Sequence, residues 1–297
     1  MSSLGYDGKV AIVTGAGNGL GREHALLLAS RGAQVVVNDL GGSVAGEGAD
    51  NGPAQSVADE IEAAGGVAVA SAASVSTRAG GEDIVRTAVE AFGRVDIVIN
   101  NAGILRDKAF HNLTDDLLDS VLDVHLRGAF YVTQPAWRLM RDQGYGRVVN
   151  TSSAAGIFGN FGQTNYGAAK MGLVGFTRVL AQEGAKYGIK ANVIAPGAKT
   201  RMTEDLMGGV ADKLEPRLVS PLVAFLAHED CPVSGQAFSV GGGRVAQIFI
   251  GVTTGIYDAD LTAEVVRDRW DQLCDQAGYV VPSNAMEELG LLLPHLS

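Results

Sequence analysis

The chain has 297 residues, of which 46% are hydrophobic and 19% charged, and it contains 40 glycines and two cysteines. This apolar fraction excludes an intrinsically disordered chain, and the net charge of −10 argues against binding to nucleic acid or to an anionic membrane. No apolar run is long enough to span a membrane, and Cys231 and Cys274 are too few for a disulfide framework. We expect a globular protein of a reducing compartment.

Short apolar segments alternate with helical patterns along most of the chain. The apolar segments lie at residues 9–14, 33–38, 67–71, 96–100, 147–152, 189–195 and 236–240. Helical patterns separate them at residues 20–31, 54–64, 82–92, 114–143 and 164–187, and Pro135 should bend the fourth of these. The alternation predicts an α/β fold, with a Rossmann-type, doubly wound parallel sheet of seven strands and helices on both faces.

Three segments do not fit the alternation. Residues 41–53 are polar and glycine-rich, which predicts a surface loop. Residues 197–217 follow a strand end, and we expect a mobile flap. Its apolar side chains could cover an acyl chain or belong to ordinary packing: Met202, Leu206 and Met207. A tail follows Gly243 and contains one amphipathic helix near residues 262–275. The predicted domains are therefore 1–243 and 244–297.

A glycine-rich turn follows the first predicted strand and opens a helix. Its residues are Thr14, Gly15, Ala16, Gly17, Asn18, Gly19, Leu20 and Gly21. Glycines allow the backbone to approach a pyrophosphate, whose charge is favoured by helix N-terminal N–H groups. Asp39, followed by Leu40, closes the second strand, where its carboxylate can bind ribose hydroxyls and repel a 2′-phosphate. We therefore expect NAD rather than NADP, although Asp39 could instead cap the following loop.

The glycine spacing resembles the short-chain dehydrogenase/reductase family. Asn101, Ala102 and Gly103, after the fourth strand, match the family's NNAG motif, and Pro196 and Gly197 match its PG beside the nicotinamide. The resemblance implies that these residues form the cofactor site. Ser74 and Val75 depart from the pattern, because many members place an aspartate at the first position to contact adenine.

A catalytic set follows from the same resemblance. Tyr166 and Lys170 are four residues apart in a predicted helix and share one face, and Ser153 lies just past the fifth strand. A phenol has a pKa of ~10, which a nearby ammonium and an oxidised nicotinamide would lower. The resemblance assigns Tyr166 as general base in oxidation, Lys170 as its modulator and ribose ligand, and Ser153, or its neighbour Ser152, as the group that positions the substrate oxygen.

His125 stands where many family members have an asparagine. It could support a water-mediated proton relay to Lys170, or it could pack between helices. Both interpretations stay open at this point.

A narrower resemblance is to the (3R)-hydroxyacyl-CoA dehydrogenase part of the peroxisomal multifunctional enzymes of type 2. It rests on residues 37–42, 101–107, 125–128, 159–163 and 261–264. It implies oxidation of a (3R)-3-hydroxyacyl-CoA to the 3-oxoacyl-CoA in fatty-acid or sterol side-chain degradation. Alternatives are a hydroxysteroid dehydrogenase, a 3-oxoacyl carrier-protein reductase, which Asp39 disfavours, and a non-catalytic NAD-binding regulator.

Partners and location complete the expectations. Cations for the CoA phosphates are sought in loops at the strand ends: Arg106, Lys108, Lys199 and Arg201. The resemblance implies a homodimer or homotetramer through the helix of Tyr166, and we expect a separate hydratase and no metal. The N-terminus lacks the pattern of a signal peptide and the C-terminus that of a peroxisomal signal, which favours a bacterial cytoplasm.

Overall fold

A computed structural model describes residues 4–198 and 214–295. Eight strands form one sheet in the order β3-β2-β1-β4-β5-β6-β7-β8. Their bounds are Val10–Thr14, Gln34–Asn38, Val67–Ser71, Ile97–Asn100, Gly146–Thr151, Ile189–Pro196, Ala237–Gly241 and Arg244–Ile248. The first seven strands pair in parallel, so the predicted fold class is confirmed.

The predicted strand count of seven is wrong by one strand. Gly242 and Gly243 both have positive φ angles, +56° and +80°, and form a two-residue turn that returns the chain to the sheet as β8. The chain divides into two compact units, Met1–Gln247 and Ile248–Ser297. The sequence pattern misses β8 because it places the end of the first domain at three consecutive glycines, residues 241–243.

The helices of the first unit cover both faces of the sheet, as a parallel sheet requires. Their bounds are α1 Gly19–Ala29, α2 Gly52–Ala63, α3 Arg78–Phe92, α4 Asp115–Leu122, α5 Gly128–Gln143, α6 Ala154–Phe158, α7 Thr164–Gly184 and α8 Ser220–Ala227. Side chains of α1, α2 and α8 pack in one core, and those of α3, α5 and α7 in the other. The predicted helix at 114–143 is divided by a π-helical stretch, Asp123–Arg127, which contains His125.

The second unit contains three short helices in place of the one expected near residues 262–275. They are α9 Ala263–Asp268, α10 Trp270–Cys274 and α11 Ala285–Gly290. The expected helix is interrupted at Arg269, whose φ and ψ of −111° and 20° are not helical. A bridge between Val252 and Val280 holds this unit together, with the rings of Phe249 and Tyr279 stacked beside it.

No helix within the described ranges is long and apolar enough to cross a membrane. Those ranges also contain no cluster of three or more histidine, cysteine, aspartate or glutamate side chains that could hold a metal ion.

Candidate active site

A cavity of about 310 Å³ lies at the carboxyl ends of the parallel strands, next to the paired strands β1 and β4. From this pair the strand order runs to β2 and β3 on one side and to β5, β6 and β7 on the other. This is the position at which doubly wound sheets bind ligands. Most residues predicted for the site line the cavity: Gly15, Asn18, Gly19, Leu20, Asp39, Leu40, Ser74, Val75, Asn101, Ala102, Gly103, His125, Ser153, Tyr166, Lys170 and Pro196. Gly17, Gly21 and Gly197 are not among the lining residues.

The glycine turn is shaped by contacts that exclude larger side chains. Gly15 has a φ of +64°, and a Cβ atom at Gly21 would lie 2.1 Å from the Gly15 carbonyl oxygen. A Cβ atom at Gly17 would lie 2.7 Å from the Cβ of Pro53 and 2.9 Å from the Asp39 carboxyl. Gly21 therefore lets α1 begin tightly against the turn after β1, and Gly17 lets the turn approach Asp39 and Pro53. The first N–H groups of such a helix have no intrahelical acceptor and are available to a phosphate.

Asn101, directly after β4, holds the glycine turn in place. Asn101 Nδ2 donates to the carbonyl oxygens of Thr14 and Gly15, both at 3.1 Å. The Thr14 hydroxyl accepts the N–H groups of Asn101 and Ala102, also at 3.1 Å. These bonds fix the turn to the end of β4.

Asp39 makes the contacts of a loop cap, and it stays a predicted ligand of the ribose hydroxyls. Its Oδ2 accepts the Gly17 N–H at 2.8 Å, and its Oδ1 accepts the Gly41 N–H at 2.7 Å, so it organises the following loop. The carboxylate also lines the cavity, and each of its oxygens keeps a second lone pair. At the position of the missing adenine-binding aspartate, the Ser74 hydroxyl is bonded to that of Ser76 at 2.8 Å.

Helix α7 and the end of β5 bring the predicted catalytic residues together. The Ser153 hydroxyl caps α6 by accepting the Ala155 N–H at 3.2 Å, and it interacts with the Tyr166 phenol. Ser152 is buried and donates to the carbonyl oxygen of Lys170 at 2.7 Å. Since Ser152 is engaged in anchoring α7, the geometry favours Ser153 as the group that faces substrate.

Burial dominates the electrostatics of Tyr166 and Lys170. It raises the pKa of the Tyr166 phenol, while Ser153 lowers it and the charge of Asp107 raises it further. Burial lowers the pKa of Lys170 from 10.5 to about 7. Lys170 Nζ donates to the Thr151 carbonyl at 2.6 Å and lies 5.5 Å from the centre of the Tyr166 ring. The chain alone therefore leaves the phenol protonated at neutral pH.

His125 is buried between Gly103 of the NNAG motif and Tyr166. Its Nε2 is 2.8 Å from the Ile104 carbonyl oxygen, and its ring meets the Tyr166 ring edge-on at 5.2 Å. A Cβ atom at Gly103 would lie 2.4 Å from His125 Cε1. Burial, followed by the charge of Lys170, lowers the pKa of His125 well below 6.5, so the ring is neutral. Its Nδ1 has no partner among the described residues.

The predicted cations for CoA are only partly visible. Arg106 Nε donates to the Ala45 carbonyl at 2.8 Å, so this guanidinium is engaged with the loop after β2. Lys108 is exposed. The other two expected cations, Lys199 and Arg201, lie outside the described residues. So do the three apolar residues of the expected flap: Met202, Leu206 and Met207.

Sequence pattern missed one wall of the cavity. Four residues of the segment predicted as a surface loop line the cavity next to Ile104: Gly42, Ser43, Val44 and Gly46. The available signal was position, because this segment directly follows Asp39. Its polar composition conceals the role, since backbone atoms make the contacts with residues 104–106.

Comparisons with known proteins agree with this geometry. The sequence profile of the short chain dehydrogenase family matches residues 9–209, and the chain belongs to that family, whose members are oxidoreductases that use NAD or NADP.

Particular relatives are similar over most of the chain. A peroxisomal multifunctional enzyme A of Dictyostelium discoideum is 47% identical over 98% of this chain, which spans 66% of that protein. A hydroxyacyl-CoA dehydrogenase of Mycobacterium tuberculosis is 44% identical, with 81% of this chain and 80% of the relative covered. The full-length peroxisomal multifunctional enzyme type 2 of Drosophila melanogaster superposes with a TM-score of 0.81 at 39% identity, covering 99% of this chain and 50% of that one.

Proposed function

We propose that this chain catalyses the NAD-dependent oxidation of a (3R)-3-hydroxyacyl-CoA to the 3-oxoacyl-CoA. The observation that carries the proposal is one continuous cavity. It is lined both by Asp39, the predicted ribose ligand, and by the predicted catalytic residues Ser153, Tyr166 and Lys170. The names of the Mycobacterium and multifunctional relatives support an acyl-CoA substrate.

The residues present fit a nicotinamide dinucleotide. The tight turn from Gly15 to Gly21 offers N–H groups for a pyrophosphate. A Cβ atom at Gly15 would lie 2.7 Å from Ala102 Cα, and one at Gly21 would lie 2.1 Å from the Gly15 carbonyl oxygen, so either would distort the turn. Asp39 would hold the adenosine ribose, and Lys170 the nicotinamide ribose. When bound, oxidised nicotinamide accepts the hydride and adds a positive charge that favours the Tyr166 phenolate.

Each catalytic side chain has one task in this reaction. Ser153 holds the substrate hydroxyl by hydrogen bonding, and Tyr166 takes the hydroxyl proton while the C–H bond delivers its hydride. The ammonium form of Lys170 stabilises the phenolate by its charge. His125 holds Ile104 and packs on Tyr166, and its Nδ1 is the atom through which a water-mediated relay to Lys170 would run.

Preference for NAD over NADP rests on charge. The Asp39 carboxylate lines the cavity, and its two backbone partners fix it in place. A 2′-phosphate on the adenosine ribose would face this carboxylate, and like charges at contact cost several kcal/mol in a partly buried site. Replacing Asp39 by serine should therefore raise the KM for NAD and reduce the discrimination against NADP.

Assembly and cellular setting follow from other features. Phe130 on α5 and Val179 on α7 are 47% and 56% exposed. Apart from the backbone of its own helix, no described atom lies within 4 Å of a Cβ placed at Gly175. This face supports the expected homodimer or homotetramer, which light scattering would measure. Cys231 and Cys274 are unpaired, as a reducing cytoplasm favours. A hydratase activity is expected to supply the hydroxyacyl substrate.

The decisive experiment measures NADH formation from matched (3R)- and (3S)-3-hydroxyacyl-CoAs and from hydroxysteroids, with NAD and with NADP. We expect turnover of the (3R) thioesters with NAD. Tyr166→Phe should abolish turnover while retaining NADH binding. Turnover of hydroxysteroids alone would identify the chain as a hydroxysteroid dehydrogenase. An absence of turnover with intact NADH binding would favour a non-catalytic NAD-binding regulator.

A further inference from the structure

Residues 41–46 and Arg106 form a structural unit over the cofactor cavity that the proposed reaction does not require. The base of this loop is closed by the Asp50 N–H, which donates to the Leu40 carbonyl at 2.9 Å. A Cβ atom at Gly41 would lie 1.9 Å from the Asp50 carbonyl oxygen, so the two sides of the loop are in direct contact. The loop therefore has a defined neck beside Asp39.

The tip of the loop reaches the opposite side of the cavity. The Leu105 N–H donates to the Val44 carbonyl at 3.0 Å, and Arg106 Nε donates to the Ala45 carbonyl at 2.8 Å. A Cβ atom at Gly46 would lie 3.1 Å from two side-chain carbons of Ile104. Segments after β2 and after β4 are thus joined across the carboxyl edge of the sheet.

Arg106 is the side chain that makes this connection. Its side chain is only 22% exposed. Its second partner is the largely exposed carboxylate of Asp116, whose Oδ2 lies 3.8 Å from Arg106 Nη1. The bond to Ala45 is consequently the better formed of its two contacts, since a charged donor within hydrogen-bond distance of a carbonyl outweighs a distant, solvated ion pair.

The same segment reaches the catalytic helix through Asn165. Its Nδ2 donates to the Arg106 carbonyl at 2.9 Å, and its Oδ1 accepts the Tyr166 N–H at 2.8 Å. Asn165 is buried, so these bonds are protected from water. Residues 41–46 and the helix that carries the general base Tyr166 are therefore both attached to the backbone around Arg106.

We propose that Arg106 is a positioning residue that latches residues 41–46 over the bound dinucleotide, and that this cover controls how tightly and how long the cofactor is held. The inference rests on the proposed nucleotide site, but not on the identity of the alcohol substrate. It assigns Arg106 to cofactor retention in place of the CoA phosphates expected from the sequence.

The test compares NADH binding by wild type and Arg106→Met, followed by fluorescence without any alcohol substrate. Loss of one charge-assisted hydrogen bond should weaken NADH about tenfold, equivalent to ~1.4 kcal/mol. The change should fall on the dissociation rate and on the KM for NAD rather than on kcat. Asp116→Asn removes the charge of the distant partner and keeps a side-chain oxygen to accept the Thr114 hydroxyl. It is the matched control and should bind NADH as wild type does.

A second variant acts on the loop itself. A Cβ atom at Gly42 would lie 3.2 Å from the Gly48 carbonyl oxygen, so residues 43–47 can be removed by joining Gly42 to Gly48. This shortened chain should lose at least as much NADH affinity as Arg106→Met. Unchanged NADH affinity in both variants overturns the proposal, and a raised KM for acyl-CoA alone would assign Arg106 to the substrate. Failure of wild type to bind NADH would instead refute the proposed function.

Discussion

Replacing Lys170 by methionine should abolish turnover and yet stabilise the fold at neutral pH. Lys170 is 3% exposed, and burial lowers its pKa from 10.5 to about 7. The unfolded chain keeps the ordinary value, so the folded state pays about 1.36 kcal/mol for each pH unit between the two pKa values. The full cost is roughly 5 kcal/mol.

The sign of this effect fixes its pH dependence. Below pH 7 both states carry the charge, and the full cost is present; it diminishes as pH rises and is absent above 10.5, where both states are neutral. By this linkage the cost is about 4 kcal/mol at pH 7 and about 2 kcal/mol at pH 9. Methionine removes this cost but loses the bond from Nζ to the Thr151 carbonyl, which contributes about 1–2 kcal/mol.

Lys170→Met should therefore be more stable than wild type by roughly 2–3 kcal/mol at pH 7 and by about 1 kcal/mol or less at pH 9. For a domain of this size the difference at pH 7 corresponds to a Tm increase of roughly 5–10 °C. Urea unfolding followed by circular dichroism at both pH values measures it. Tyr166→Phe, which keeps Lys170, serves as the inactive control.

The reasoning is refuted if Lys170→Met is no more stable than wild type at pH 7, or if its advantage is the same at both pH values. A gain that appears equally in Tyr166→Phe would also contradict it, because that variant retains the buried ammonium. Loss of turnover together with increased stability would show that the active site keeps a charge at the expense of the fold.

Three further predictions concern the surroundings of this site. Gly103→Ala should greatly reduce activity because its Cβ would meet His125 at 2.4 Å, and His125→Ala should relieve that clash; a double variant no better than Gly103→Ala in cofactor binding would disprove the steric cause. Asp107→Asn should move the acidic limb of the pH–rate profile for oxidation to lower pH, because the charge of Asp107 raises the pKa of the general base Tyr166, and an unmoved limb would argue against that coupling. Burial lowers the pKa of His24 from 6.5 to about 3, so stability should fall by about 1.4 kcal/mol per pH unit as the pH drops below 6.5; urea titrations of His24→Gln should show a shallower slope, and an identical slope would contradict this assignment.

The local sequence determined the fold class and most of the strands. Segments such as Val10–Thr14 and Ile97–Asn100 are apolar up to their last residue because both faces of a parallel sheet are buried, and this pattern needs no tertiary information. The glycine turn was also accessible, since only glycine allows the φ of +64° at Gly15 and the contact made by Gly21. Helical spacing placed Tyr166 and Lys170 on one face.

Properties that depend on distant residues were decided by the tertiary structure. The pKa of Lys170 reflects burial between β5 and α7, and the neutral state of His125 reflects burial and a nearby charge, neither of which a local pattern encodes. The role of residues 41–46 arises from hydrogen bonds to residues some sixty positions later, such as that from Arg106 to Ala45. Sequence periodicity reports which faces are apolar, whereas these contacts form between backbone and charged groups that carry no periodic signal.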